Sequence, residues 1–425
     1  PLGFKKLNYH LAGLHTSNLI LHLAGIGSGK ALTMDEKLFT PKGYVKMKDI
    51  QLGDEIYGED GKIHNVIGVF PQGKKDIYKV TFNDGTSVEC CSEHLWNVRD
   101  ADEKMNNMPY RTMSLQEIID DGYYVRRGKD KYKTHNKFIP LTKPLDMNYT
   151  PTPIDPYQLG ILLGDGGLSG GSIIITFNSQ EKDMIESCKS YYESIGMNFN
   201  IHEDRGTSIA YRIARKEISG KNKVKDILKD LNLYNTKSND KFIPKEYLFN
   251  SKDVRLSILQ GLIDTDGEVN DSNYTFSTVS NQLVEDMIFL VQSLGGTAKK
   301  SKRQTYYTYK GEKKKGQPSF RLSIKLPNDI QGFRSEKHKS KFNIGQREAY
   351  RCITNIEYVG KKESQCISVD NPSKLYLTTD MIVTHNTTSA ILTYVLPILE
   401  AGEHVCIVAN EQNEEQFAQM MLATI

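Results

Sequence analysis

The tightest constraint on this chain is a motif that stops halfway and resumes 356 residues later (31–386). An apolar run, Leu19-Ile20-Leu21-His22-Leu23, reads as a short buried strand, and Ala24-Gly25-Ile26-Gly27-Ser28-Gly29-Lys30 follows it. Glycines let successive backbone N–H groups turn toward a phosphate, and a closing Lys reaches its outer oxygens. Such a loop continues with a hydroxyl for magnesium and then a helix, yet Ala31 comes next. The missing parts stand at the far end. Thr387-Thr388-Ser389-Ala390-Ile391-Leu392 opens a helical pattern, and Gly402 precedes a second strand-like run, Val405-Cys406-Ile407-Val408-Ala409. Joining Lys30 to Thr387 gives Gly-Ile-Gly-Ser-Gly-Lys-Thr-Thr, with Ala24 where a first Gly usually sits. Residues 31–386 therefore read as an insertion. The interrupted site, with Gly29, Lys30 and Thr387 holding ATP and Mg²⁺, would exist only once they are removed.

Composition adds bounds. At about 150 residues per domain, 425 residues suggest two to four domains. A charged fraction of 25% with 38% hydrophobic residues fits core-forming globular material and argues against a disordered or fibrous chain. No apolar run approaches the length of a membrane span. Six cysteines, Cys90 and Cys91 adjacent, are too few for a disulfide framework and point to a reducing, intracellular compartment. Pro1-Leu2-Gly3 lacks an initiator Met and a signal-peptide pattern, and reads as a trimmed start or a tag remnant. Lys+Arg 55 nearly cancels Asp+Glu 52, so any nucleic-acid face must be local.

The edges of the insertion carry their own chemistry. It ends Val383-Thr384-His385-Asn386, with Thr387 next. An Asn amide can attack its own carbonyl and break the following bond, a neighbouring His can protonate the leaving group, and a hydroxyl beyond the break can accept an acyl chain. After Ala31 come short alternating segments, Lys37–Phe39, Tyr44–Met47, Glu55–Tyr57, His64–Val69, Ile77–Phe82 and Thr86–Cys90, separated by turn signals such as Asn83-Asp84-Gly85. A second β-rich stretch follows late, at Ile353–Val359, Gln365–Val369, Leu375–Thr378 and Met381–Val383. The pattern predicts an all-β domain in two pieces.

Over about 31–145 and 345–386 the sequence resembles an intein, a self-splicing element of the Hint fold. On that resemblance His94 matches the histidine that polarises the upstream scissile amide, and His385, Asn386 and Thr387 match the downstream junction. Asp84-Gly85 precedes the histidine motif as in many inteins. Three positions depart: Cys91 stands where Thr is usual, Ala31 where a Cys or Ser nucleophile is usual, and Lys374 where a His is often found. Two explanations of Ala31 stay open. Some inteins lack the first nucleophile and attack the upstream junction with an internal Cys; Trp96, Cys366 and Thr387 fit that pattern. The rival is an engineered replacement that blocks splicing. Apart from the resemblance, Cys366 reads as a buried strand thiol and Trp96 as a core aromatic.

Between about 150 and 335 the sequence repeats itself about 100 residues apart. Leu159-Gly160-Ile161-Leu162-Leu163-Gly164-Asp165-Gly166 pairs with Gln260-Gly261-Leu262-Ile263-Asp264-Thr265-Asp266-Gly267, Ile175-Thr176-Phe177 with Tyr274-Thr275-Phe276, and the helical runs Lys182–Ile195 and Gln282–Leu294 with each other. Tyr211–Lys216 aligns with Phe320–Lys325. Small residues let two helices approach closely, bringing Asp165 and Asp266 to one axis, where two carboxylates can hold Mg²⁺. This resembles a LAGLIDADG homing endonuclease in its two-repeat, single-chain form. The resemblance implies strands laid in a DNA major groove, with Lys216 and Lys325 near the scissile phosphates. Basic residues Lys299, Lys300, Lys302 and Arg303, Lys313–Lys315 with Tyr306, Tyr307 and Tyr309 interleaved, and Arg321 would contact DNA. Arg126-Arg127-Gly128-Lys129 would extend that footprint.

The expected architecture is multidomain: host segments 1–30 and 387–425, an all-β Hint domain at 31–145 and 339–386, and a nested α/β LAGLIDADG endonuclease at 146–338, with repeats at about 150–240 and 250–335. The host resembles a phage terminase large subunit or another P-loop ATPase. Expected partners are Mg²⁺ and double-stranded DNA of the uninterrupted host gene for the nuclease, and no cofactor for splicing. The chain is expected to be a monomer without membrane contact, in the cytoplasm of a bacterium or a phage-infected cell. Two further alternatives stay open: an ATPase with an insertion never excised, and a nuclease in a splicing-dead shell.

Overall fold

The computed structural model describes residues 30–127, 132–216, 221–309, 312–343 and 348–385. They form two compact units. The first takes in the chain up to Phe82, Thr86–Pro140 and the part from Cys352 onward; the second takes in Asn83–Gly85 and Leu141–Arg351.

The first unit is built on a six-stranded sheet in the order Phe138–Ile139, Arg351–Val369, Leu32–Thr33, Ser87–Cys91, Ile63–Phe82, Glu55–Tyr57. Four segments expected as separate strands are two long ones. Ile63–Phe82 and Arg351–Val369 pair antiparallel from Val66↔Val369 to Phe82↔Ile353, with register shifts near Gly360 and Gln365. Gly73 and Gly360 adopt positive φ, which let the strands bend without ending. Leu32–Thr33 lies between Ser87–Cys91 and Arg351–Val369. Trp96, Phe82, Leu32 and Ile367 share one buried core, so the alternation of the sequence is that of strands with an apolar inner face.

The second unit holds two copies of one element order. Helix Pro156–Asp165 is followed by strands Gly166–Gly167 and Ile173–Asn178, helix Lys182–Ser194, and strands Met197–Asp204 and Ser208–Arg215. Helix Lys252–Asp266 is followed by Gly267–Asn270, Asn273–Thr278, helix Asn281–Ser293, Thr297–Tyr309 and Glu312–Lys325. Each set of strands forms a four-stranded sheet with equivalent strand order. Asp155 caps the first helix by accepting the Gln158 N–H, and Pro156 begins it.

Both boundaries of this unit lie outside the expected 146–338. Leu145 donates to the Ser293 carbonyl and accepts from buried Arg255, which ties the entering segment to the core of the second unit. Arg351 pairs with Asp84 at 2.8 Å, both side chains almost wholly buried.

Candidate functional site

In the first unit the expected upstream junction, Lys30–Ala31, immediately precedes strand Leu32–Thr33. Ala31 is fully buried and packs with Ile77 and Cys91. Its N–H donates to Cys91 Sγ at 3.1 Å, and its carbonyl accepts the Cys91 N–H at 3.0 Å. Both groups of Ala31 therefore point toward Ser87–Cys91. A trans peptide directs the preceding carbonyl the opposite way, so Lys30 C=O points toward Arg351–Val369. On that side Thr33 pairs with Ser364 and Leu32 with Gln365, and Cys366 is the next residue of the facing strand. Cys366 is buried, and its charge and that of half-buried Lys30 bear on one another.

Two histidines lie at the same place. His94 is buried, its Nε2 meets Thr384 Oγ1, and its Nδ1 has no partner among the described residues. Burial, then the neighbouring His385 and Lys30, push its pKa down to about 3, which leaves it neutral at pH 7. Trp96 sets its ring edge-on to His94, centroids 5.5 Å apart. His385 ends strand Val383–His385, opposite Leu375, and is buried. The structure thus brings together Lys30, Ala31, His94, Cys366 and His385. Gly29, Asn386 and Thr387 lie outside the described residues.

In the second unit the two acid helices touch through their glycines. A Cβ on Gly261 would lie 2.3 Å from the Tyr157 carbonyl and 2.9 Å from Gly160 Cα; one on Gly164 would strike Thr265. This approach brings Asp165 and Asp266 within electrostatic reach. Burial, then Asp266 and Glu181, raise the Asp165 carboxyl to about 7, and burial raises Asp266 as well. Lys241 and Lys337 act against both shifts.

Lys241 is a residue the sequence reading missed. It is buried, and its Nζ donates to the carbonyls of Leu163, Gly164 and Gly166 at 2.8, 3.0 and 2.8 Å. It caps the first acid helix, as a cationic group is favoured to do at the negative end of a helix, while burial lowers its pKa. His338 meets the Ile263 carbonyl at 3.2 Å at the matching end of the second. No local motif marks Lys241; only the pairing of helix ends reveals it.

Residues 253–337 match the LAGLIDADG-like domain family. A replicative DNA helicase DnaB from Mycobacterium intracellulare is 26% identical over 385 residues, covering 87% of this chain and 60% of that protein. The chain thus spans less than two thirds of that relative's length. Among solved structures, the MchDnaB-1 intein (N145AA) overlays 84% of this chain and 100% of its own at 12% identity and a TM-score of 0.27. A mesophilic variant of the homing endonuclease I-DmoI overlays 41% of this chain and 89% of its own at 14% identity and a TM-score of 0.28.

The family match agrees with the expected LAGLIDADG-type nuclease. The expected terminase-like host is corrected: a relative that matches over most of the chain is a replicative DNA helicase. The flanks hold too few residues to separate one nucleotide-binding host from another.

The ladder also corrects the alignment of the repeats. Gly166 pairs with Ile175 and Gly267 with Phe276, so Ile175 stands where Phe276 does, two residues from the expected match. Ile173↔Ile213 and Tyr274↔Ile324 carry the slip onward. Ala214, not Lys216, is then the counterpart of Lys325. Lys216 is exposed beyond its strand, and the cations acting on the acid pair are Lys241 and Lys337.

Strand alternation sorts the basic residues. Lys299, Arg303, Arg321 and Lys325 share one face, since their rungs are Lys299↔Ser323, Ser301↔Arg321, Arg303↔Ser319 and Thr297↔Lys325. Lys300 and Lys302 oppose Leu322 and Phe320 on the other face. There Lys300 is held by Glu285 at 2.6 Å and Asn281 at 2.8 Å, which removes it from the expected DNA set.

Proposed function

We propose that residues 31–386 excise themselves and join Lys30 to Thr387, and that the nested second unit is a site-specific, double-strand DNA endonuclease. The chain is an enzyme in both senses. The observation that carries the splicing reading is the Lys30–Ala31 bond, its N–H held by Cys91 and its carbonyl turned toward the strand of Cys366.

Cys366 attacks the Lys30 carbonyl, the bond to the Ala31 nitrogen breaks, and a branched thioester forms. The thiol loses the proton that the nitrogen gains. Neutral His94 relays it, because a neutral imidazole accepts before it donates. The Thr387 hydroxyl then takes the acyl chain and Cys366 recovers a proton. Asn386 cyclises and breaks its bond to Thr387 while His385 protonates the leaving amine. The freed amine attacks the ester carbonyl, and a peptide bond joins the host segments. On this reading the host is helicase-like and its phosphate loop is complete only after excision. Hydroxylamine tests the first step: it should release a 1–30 fragment from the parent chain and none from Cys366→Ala. Equal release from both contradicts the route.

For the nuclease, Asp165 and Asp266 fit a divalent cation. Two desolvated, mutually repelling carboxylates gain by sharing one, and Mg²⁺ commonly takes one or two carboxylates and completes its shell with water and phosphate. Bound Mg²⁺ would supply charge stabilisation at the scissile phosphate and an activated water. Lys241 and Lys337 oppose the upward shift of both acids, and Lys299, Arg303 and Arg321 offer phosphate contacts. The substrate is the uninterrupted host gene, because the insertion splits its own recognition sequence. Nicking and linearising of a plasmid with that site should stop in Asp165→Asn and Asp266→Asn. Cleavage of the interrupted site at the same rate would contradict the assignment.

A further inference from the structure

The two sheets of the second unit end differently. In the first repeat, Ile173–Asn178 accompanies Ser208–Arg215 to its very start, through Asn178↔Ser208. In the second, Asn273–Thr278 stops at Thr278↔Phe320, while Thr297–Tyr309 and Glu312–Lys325 pair on to Tyr309↔Glu312. Residues 303–309 and 312–319 thus form a two-stranded ribbon with no third strand beside it among the described residues. At about 3.3 Å per residue the ribbon extends about 20 Å.

Its composition suits a polyanion. Arg303, Lys314 and Lys315 are exposed, as is Tyr306 at 57%. Arg303 and Lys315 have no acidic partner among the described residues. A register shift between Gln304 and Tyr306 adds twist where the ribbon leaves the sheet, and Pro318 sits at that shift, where its missing N–H is tolerated. A lone two-stranded ribbon is marginal in water, so its stabilising contact is sought outside the unit's core. The basic face of Lys299, Arg303 and Arg321 runs directly into it.

We propose that this ribbon enters a DNA groove beyond the footprint that the two sheets share, so that the target is contacted further on the second repeat's side. The inference rests on the nuclease reading above and adds the polarity of the site. About 20 Å corresponds to about six base pairs at about 3.4 Å each, and a two-stranded ribbon fits the major groove.

The test is hydroxyl-radical footprinting of the full chain, without Mg²⁺, on a duplex of the uninterrupted host sequence centred on the Lys30–Thr387 junction. The footprint should reach about six base pairs further on one side. Replacing residues 304–318 by Asn-Gly between the paired Arg303 and Ser319 should remove that extension and leave the other edge in place. Lys314→Glu with Lys315→Glu, which keeps the backbone, should weaken the same edge and lower the slope of log K against log salt by about 2. A symmetric parent footprint, or one that both variants leave unchanged, overturns the ribbon's role while the nuclease reading stands. Failure of the parent chain to bind this duplex overturns both.

Discussion

Cys91 Sγ accepts the N–H of Ala31 at 3.1 Å, so a thiol holds the nitrogen of the bond proposed to break. The contact fixes the plane of the Lys30–Ala31 peptide and with it the side from which its carbonyl is open. A net hydrogen bond of about 1 kcal/mol corresponds to about a fivefold change in rate. Cys91→Val should slow hydroxylamine-detected cleavage at this junction by about that factor. Cys91→Thr, which restores an acceptor, should recover most of it.

His94 gives the first unit a pH signature. Its pKa is about 3 in the fold and near 6.5 in an unfolded chain. Between these values the unfolded chain binds the proton and the fold does not, so stability is lost as pH falls from 6.5 toward 3. His338, held at about 4, gives the second unit the same sign. Melting temperatures at pH 7 and 4.5 should separate in the parent chain, and the gap should narrow in His94→Gln for the transition of the first unit.

Asp165 acts in the opposite direction. Its carboxyl, raised to about 7, stays protonated in the fold after an unfolded one has ionised near 3.8. Stability from this group is therefore lost as pH rises from 3.8 through 7. Asp165→Asn should melt several degrees higher than the parent at pH 8 and equally at pH 3. Added Mg²⁺ should stabilise the parent at pH 8 far more than at pH 5, and should leave Asp165→Asn little changed.

Gly261 is where the acid helices come closest. With a Cβ placed 2.3 Å from the Tyr157 carbonyl, Gly261→Ala must push the helices apart, at a cost of about 1–3 kcal/mol. DNA cleavage should fall at least tenfold as the carboxylates separate, read in a plasmid assay. Splicing, carried by the other unit, should continue.

What the sequence made legible follows from periodicity and spacing. The broken glycine loop suggested where both junctions lie, and the doubled Gly-to-Asp motif located the acid helices, because each pattern is short and chemically demanding. The slip between Ile175 and Phe276 was hidden because an error of two residues preserves strand alternation. The bend at Gly73 read as a strand end because positive-φ glycine marks turns and bends alike. Lys241 was invisible because its partners are backbone carbonyls far away in sequence. The similarity to a replicative DNA helicase was equally out of reach, since a glycine-rich loop is shared by many nucleotide-binding proteins.

Intact-mass analysis of the freshly purified chain carrying Ala31, beside Cys366→Ala and Ala31→Cys, tests the splicing proposal most directly. The parent chain should yield a 356-residue fragment (31–386) and a ligated peptide joining Lys30 to Thr387, and Cys366→Ala should yield neither. A parent chain that stays whole, with both products appearing only in Ala31→Cys, would contradict attack by Cys366 and identify Ala31 as a block.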